Sequence, residues 1–269
     1  MQLRTLAAYA AILCFLTACQ DGPGPASRLR FAPITNFESV TTPIPLVRHP
    51  FTGEVRFAEM VFVSSGVVQP FAPGDRFSVG SLSGFQQQVT VRSSGAGPGV
   101  AYVDSLPGVV TATYTVLPTG ETRDVRFDGP RSAALQATGA LARLKPLGAG
   151  LPDRPDGARN GDVLDPAATA ALVERWLALV PESDDVTARN LGNVRARVVG
   201  RAMYSGRQVF ALELLGLERV TVSGAWLIDI ETGMTAYVDL NATVPTPGRT
   251  ERQFQVTVRA TFPPEFRAQ

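Results

Sequence analysis

The sequence predicts a mainly β, α+β fold: a curved antiparallel sheet or half-barrel with two short helices covering one face. Three observations predict it. Apolar and polar residues alternate with a period of two through the C-terminal third. Gly-containing turn signals separate the alternating runs. Two stretches with helical spacing stand between an N-terminal and a C-terminal set of such runs. Period two with one apolar face is the pattern of half-buried strands in an antiparallel sheet. The 269 residues, 45% hydrophobic and 18% charged, have an ordinary globular balance and allow one large domain or two small ones.

The chain opens on MQLRTLAAYAAILCFLTAC. Arg4 supplies a positive n-region, and residues 6–16 are apolar. That run is too short to span a bilayer, which takes ~20 apolar residues, and it fits a signal peptide. Its end, Leu16-Thr17-Ala18-Cys19, resembles the lipobox of bacterial lipoproteins. The resemblance implies cleavage between Ala18 and Cys19 and a diacylglycerol on the Cys19 sulfur. Gln20 follows, and by the same resemblance a residue other than Asp there implies the outer membrane, with the body facing the periplasm. Cleavage would remove Cys14, so no intrachain disulfide is expected. It would also remove Arg4, leaving Lys+Arg equal to Asp+Glu. Residues 21–27, DGPGPAS, read as a tether. The expected organisation is a leader over 1–18, a lipidated start and tether over 19–30, and a single β-rich domain over 31–269. A Gly/Pro/Asp-rich linker at 147–161 is either an internal boundary or a crossover loop.

Within the body, residues 31–50 carry four prolines and are expected to wrap the surface or add an edge strand. Val55, Phe57, Val61 and Val63 share one face of a strand over 55–63. Residues 87–92 and 110–117 read as strands, and Pro118-Thr119-Gly120 turns the chain into another at 122–127. Residues 132–145 are Ala- and Leu-rich and read as a helix, weakened by Gly139. A helix over 165–180 is better signalled. Asp165 suits the N-cap and Pro166 the first turn, and Leu172, Val173, Trp176, Leu179 and Val180 form one stripe. Five strands follow. Val194, Ala196 and Val198 alternate with Arg195 and Arg197. Phe210, Leu212 and Leu214 form a second run. Val220, Val222, Gly224, Trp226, Ile228 and Ile230 then face away from Thr221, Ser223 and Asp229. Residues 234–240 and 253–262 alternate in the same way. Ser205-Gly206 and Glu231-Thr232-Gly233 read as hairpin turns. Thr119-Gly120-Glu121-Thr122 and Thr232-Gly233-Met234-Thr235 echo each other, so each half can be a meander of similar design.

Composition removes several function classes. A net charge of +1 gives no basic footprint for nucleic acid. One histidine and two cysteines leave little for zinc, haem or iron–sulfur ligation, and no metal or other cofactor is expected. His49, between Arg48 and Pro50, is the only imidazole for a Ser-His-Asp site. No Gly-x-Ser-x-Gly elbow or phosphate-binding glycine fingerprint accompanies it, so it reads as a surface residue. Asp153, Asp156, Asn160, Asp162 and Asp165 supply oxygens in a Gly-containing stretch, yet their spacing is not that of a calcium loop. They read as turn and cap residues. Asp184-Asp185 reads as a solvated loop.

Glu59 interrupts the apolar face of its strand. The usual reading is a sheet edge or an arginine pair, the alternative a buried acid with a raised pKa. Trp176 and Trp226 read first as core and second as ligand-stacking rings.

A one-sided sheet must cover its apolar face. Five strands of ~8 residues present roughly 600 Å², and two ~15-residue helices cover about 440 Å². That leaves room for an apolar cleft with Leu172, Trp176, Trp226 and Ile228 as its expected lining. The combination of lipobox, strand meander and inserted helices resembles the lipoprotein-carrier group, the LolA/LolB-like proteins and LppX-like lipoproteins. The resemblance implies an unclosed barrel whose concave face, plugged by helices, holds acyl chains. It carries no site residues over, and the helices here stand mid-chain. The expectation is therefore a non-enzymatic binding module, anchored to the membrane through Cys19, for an apolar small molecule or lipid. The alternatives are an envelope assembly or structural protein that binds another protein, and a carboxylate-based hydrolase.

Overall fold

Alternation and tight turns organise the chain into two strand meanders. The computed structural model describes residues 29, 32–48, 52–68, 77–93, 99–137, 151–180, 183, 186, 188–246 and 250–262. The leader, Ala18, Cys19, His49, Asp184 and Asp185 lie outside these. The first meander comprises β3 (Gly53–Val68), β4 (Phe77–Ser93), β5 (Val100–Leu106), β6 (Val110–Val116) and β7 (Thr122–Asp128). The second comprises β9 (Arg195–Tyr204), β10 (Arg207–Leu217), β11 (Thr221–Asp229), β12 (Thr235–Thr246) and β13 (Thr250–Thr261). They join where β13 pairs with β3, from Thr261 opposite Ala58 to Glu251 opposite Val68. A short strand β1 (Thr35–Glu38) forms the edge beside β9. Among the described residues the result is one eleven-stranded antiparallel sheet, β1-β9-β10-β11-β12-β13-β3-β4-β5-β6-β7, which does not close into a barrel.

The turns follow from their residues. Ser205 and Gly206 both take positive φ, 48° and 80°, as a two-residue turn of this hand between twisted strands requires. In the stretch 231–233, the buried Asp229 carboxylate accepts from the Thr232 amide and hydroxyl, and the Gly233 amide donates to the Asp229 carbonyl. Arg207 reaches across to the same carboxylate, with Nε donating to Oδ2 at 2.5 Å, and so ties two hairpins together.

Three helices appear among the described residues: α1 (Ser132–Ala137), α2 (Pro166–Leu177) and the single turn α3 (Ala188–Leu191). The stretch 138–145, expected to continue α1, lies outside the described residues. In α2, Asp165 Oδ1 accepts from the Ala168 amide at 2.7 Å and Pro166 fills the first turn. This is the local signature of a helix start. Ala170, Leu172, Val173, Trp176 and Leu177 are buried on its inner side. Leu172, Val173, Trp176 and Leu177 pack with Val61, Val63, Leu212, Leu214, Trp226, Val238, Leu240, Val256 and Val258 in the main core. A neighbouring cluster, with Val55, Phe57, Val89, Val91, Tyr102 and Tyr114, continues along the first meander.

The structure departs from the sequence expectation in several places. Strands β3 and β4 run well beyond 55–63 and 87–92. Strand β5 was not anticipated. The linker residues 154–158 form strand β8 (Arg154–Ala158), which pairs with β2 (Ile44–Leu46), and Leu151 before it is in the main core. Strand β11 is buried on both faces rather than one. Ala225 and Leu227, on the side opposite Trp226, join Val209, Ala211, Ala236 and Tyr237 in a third cluster, against which Leu29 and Ile34 pack. The segment leading into β1 thus covers the outer face.

Candidate functional site

A cleft opens where the two meanders meet under α2. On the sheet side, Phe57 and Glu59 come from β3, Val89 from β4, Tyr102 and Asp104 from β5, and Trp226 and Ile228 from β11. Leu172 of α2 faces them, and Leu46, Leu151, Pro152 and Asp153 close one side. Gly233, Met234 and Thr235 complete the wall. Three of the four residues expected to line a cleft, Leu172, Trp226 and Ile228, therefore meet in one. Trp176 is not on its wall; it stands behind Trp226, ring edge to ring face, with centroids 5.3 Å apart and planes at 81°. Such a pair is worth about 1 kcal/mol beyond the area it buries. The Trp226 Nε1–H donates to Thr235 Oγ1 at 3.0 Å, which fixes the ring against the cleft. The free space amounts to about 60 Å³. A single water needs roughly 10–15 Å³ measured this way, so a few water-sized groups fit and a whole acyl chain does not.

Two carboxyl groups stand on this otherwise apolar wall. Glu59 lies in neither of the settings usual for such a residue. Its strand is interior, between β13 and β4. Its partner is not an arginine but Gln87, whose Nε2 donates to Oε2 at 2.5 Å. Burial pushes the Glu59 carboxyl up to about 7; the nearby Asp104 charge adds to the shift and the Gln87 hydrogen bond opposes it. Burial likewise raises Asp104 to about 7, against the Tyr114 hydroxyl that donates to Oδ2 at 2.5 Å. The other oxygen, Oδ1, is shut off from solvent and has no hydrogen-bond partner among the described residues. Buried polar atoms are almost always satisfied, so an orphan on a cleft wall is unusual. Tyr102, stacked on Tyr114 at 5.1 Å and 5°, is held above its ordinary pKa by burial.

Arg48 borders the same space but is committed elsewhere. Its Nη1 donates to the Leu117 carbonyl at 3.2 Å and its Nη2 to the Leu151 carbonyl. Its amide donates to Asp153 Oδ1 at 3.1 Å. Burial raises Asp153, and that amide bond opposes the rise. Gly233 makes this placement possible. It sits at φ 66°, and a Cβ there would run into the Val47 carbonyl oxygen. A bare backbone lets the Arg48 segment lie on the turn between β11 and β12.

Asp162, Asp165 and Asn160 are used structurally. Asp165 caps α2. Asp162 Oδ2 accepts from the Arg159 amide, and Asn160 bridges the Val40 amide and the Val199 carbonyl. Among the described residues no three His, Cys, Asp or Glu side chains come together to hold a metal ion. Also among them, no helix is long and apolar enough to cross a membrane.

Sequence reasoning singled out Glu59, Leu172, Trp226 and Ile228 and missed Asp104, Tyr102 and Arg48. The signal for Asp104 was present. Val100, Tyr102, Asp104 and Leu106 alternate with Ala101, Val103 and Ser105, so Asp104 breaks an apolar face just as Glu59 does.

No protein-family model matches the chain, and a search of curated proteins finds no significant match. Among solved structures, a LolA superfamily protein from Nitrosomonas europaea is similar at 8% identity, over 79% of this chain and 88% of its own. Its TM-score of 0.15 is far below that of two chains sharing one fold.

Proposed function

We propose that this chain is a lipid-anchored protein of the bacterial outer membrane, facing the periplasm, whose β-rich domain binds an apolar small molecule or lipid without chemical turnover. The carrying observation is the cleft itself: Leu172 of α2 is set against Trp226 and Ile228 of the sheet, with Phe57 and Met234 beside them. Apolar walls with a few convergent polar groups are the usual make-up of a ligand site. The small free volume means that only a short segment of ligand enters the cleft as it stands. A longer chain would have to displace α2 or the segment at 151–153. The anchor rests on Leu16-Thr17-Ala18-Cys19 and the apolar run before it.

The paired carboxyl groups favour a second reading, a carboxylate-based hydrolase. Acid–base catalysis by two carboxyls uses groups whose pKa values are pushed apart, one protonated and one ionised. Glu59 and Asp104 are both held near 7 by the same cause, burial. The walls around the pair are otherwise largely apolar, with Leu46, Phe57, Val89, Leu151, Leu172 and Ile228, and this supports binding over turnover.

The test is native mass spectrometry of the chain carrying Cys19→Ser, expressed with its own leader and recovered from a periplasm, followed by solvent extraction. A stoichiometric lipid or other apolar ligand is the expected result. A clean apo mass with an empty extract overturns the binding reading and turns the search to crosslinked envelope proteins. Wild-type chain labelled by radioactive palmitate, and Cys19→Ser chain unlabelled, is the result expected of the anchor.

A further inference from the structure

We propose that the polar end of the cleft is a recognition site for a primary ammonium group carried on an apolar body, with Asp104 and Glu59 as its carboxylate receptors and the aromatic faces around them as its walls. This deepens the binding reading above and rests on it.

Four observations carry the inference. The first is Asp104 Oδ1, an acceptor enclosed on the cleft wall to which no described residue donates. A buried acceptor left unbonded carries a desolvation cost, larger for a charged group, and a ligand N–H placed there recovers it. The second is that both acids point their charge into the same space. Glu59 senses Asp104 as a like charge, so a cation between them relieves repulsion as well as desolvation. The third is the commitment of the neighbouring cations. Arg48 spends two of its donors on the Leu117 and Leu151 carbonyls. Arg175 of α2 turns its Nε to the Ala171 carbonyl. Neither is a partner that neutralises the two acids. The fourth is the ring set: Phe57, Tyr102 and Trp226 all line the cleft, and aromatic rings attract organic cations, more strongly when desolvated. The free volume of about 60 Å³ suits an ammonium with its first few methylenes.

The site's charge depends on pH, and the ionisable groups around it among the described residues all enter. Glu59 of β3 and Asp104 of β5 titrate near 7. Burial holds Tyr102 neutral well above that range, and the Tyr114 hydroxyl of β6 donates a hydrogen bond to Asp104 Oδ2. From the covering side come Asp153, raised by burial, and Arg48. Arg175 is lowered from its ordinary value by burial. As pH rises the pair gives up its protons and gains the negative charge that attracts the ligand cation; as pH falls it binds protons instead.

The test uses wild-type protein and n-butylammonium, with n-butanol as the neutral match, tetramethylammonium as the cation lacking N–H, and butyrate as the anion. Titration calorimetry at pH 8 is expected to show butylammonium binding at least tenfold more tightly than any of the three. Its affinity is expected to fall at least tenfold at pH 5.5. Asp104→Asn, close to isosteric, is expected to lose tenfold or more, and the pH series on wild type serves if that variant folds poorly. Equal binding of butanol overturns the ammonium site while leaving the apolar cleft intact. Equal binding of tetramethylammonium overturns the role of Oδ1. Failure of both butylammonium and butanol removes the cleft reading with it. Extraction from phosphatidylethanolamine vesicles but not phosphatidylcholine vesicles would mark a lipid headgroup as the source of the ammonium. Butylammonium binding without such extraction would mark a free amine.

Discussion

Glu59 occupies a position that its strand reserves for apolar side chains, and its ionisation works against the fold. In an unfolded chain its carboxyl titrates at its ordinary 4.5; in the folded protein burial moves it to about 7. The folded state therefore binds more protons between these values, and stability falls as pH rises through that window. The penalty is complete above 7 and amounts to ~3 kcal/mol there, since each pKa unit is worth about 1.4 kcal/mol. Glu59→Gln removes the charge and keeps an acceptor for Gln87. It is expected to melt several degrees above wild type at pH 8 and at the same temperature at pH 4, by calorimetry at both. An equal difference at both pH values would show that packing, not ionisation, separates the two proteins. The pattern that exposed Glu59 in the sequence also held for Asp104. Asp104 is less legible than Glu59 because β5 is short and carries Ser and Asp among its apolar residues, which weakens its period of two. Charge partners were less legible still. That Glu59 would meet Gln87, and not an arginine, depends on the β3–β4 register.

Elements whose signals are local were the ones the sequence revealed. Helix α2 announces itself by Asp165, Pro166 and a one-sided stripe, all within its own residues. The Asp165→Ala variant tests that logic. It removes the acceptor of the Ala168 amide, and loss of such a cap costs about 1 kcal/mol. Urea denaturation is expected to show that loss with an unchanged slope; no change in midpoint would mean that the tertiary contacts of Leu172, Val173 and Trp176 hold the helix start unaided. Elements held by distant partners were hidden. Strand β8 reads RPDGA, a turn by composition. It is a strand because Ile44 and Leu46 of β2 lie opposite Ala158 and Arg154. The N-terminal half of β4, with Ser and Gly recurring, exists as a strand because β3 runs beside it to Val68. Both faces of β11 are buried because the segment near Leu29 and Ile34 returns over the outer side. No window of sequence around β11 contains that fact.

At the scale of the whole molecule, the decisive contact is the seam between β13 and β3. It joins the end of the second meander to the start of the first and pairs Ala58 with Thr261. Chain closure over such a separation is entropically costly, so the seam must be stabilised by what it buries. The main core supplies this by crossing it: Val61 and Val63 on one side meet Phe254, Val256 and Val258 on the other, with Leu172 and Trp176 of α2 in the same cluster. The cleft lies along this seam, its acids from the first meander and its tryptophan from the second. A core shared in this way predicts that the two meanders unfold together. Val256 is fully buried, opposite Val63. Val256→Ala is expected to cost about 2 kcal/mol, since removing buried methyl groups leaves an unfilled cavity. Hydrogen exchange read by mass spectrometry is expected to report that loss equally in β5 and β6 and in β10 and β11. Loss confined to the second meander would mean that each half is stable alone and that the cleft forms by docking. Ligand binding would then strengthen the seam, whereas in a single cooperative unit it raises the protection of both meanders by the same amount.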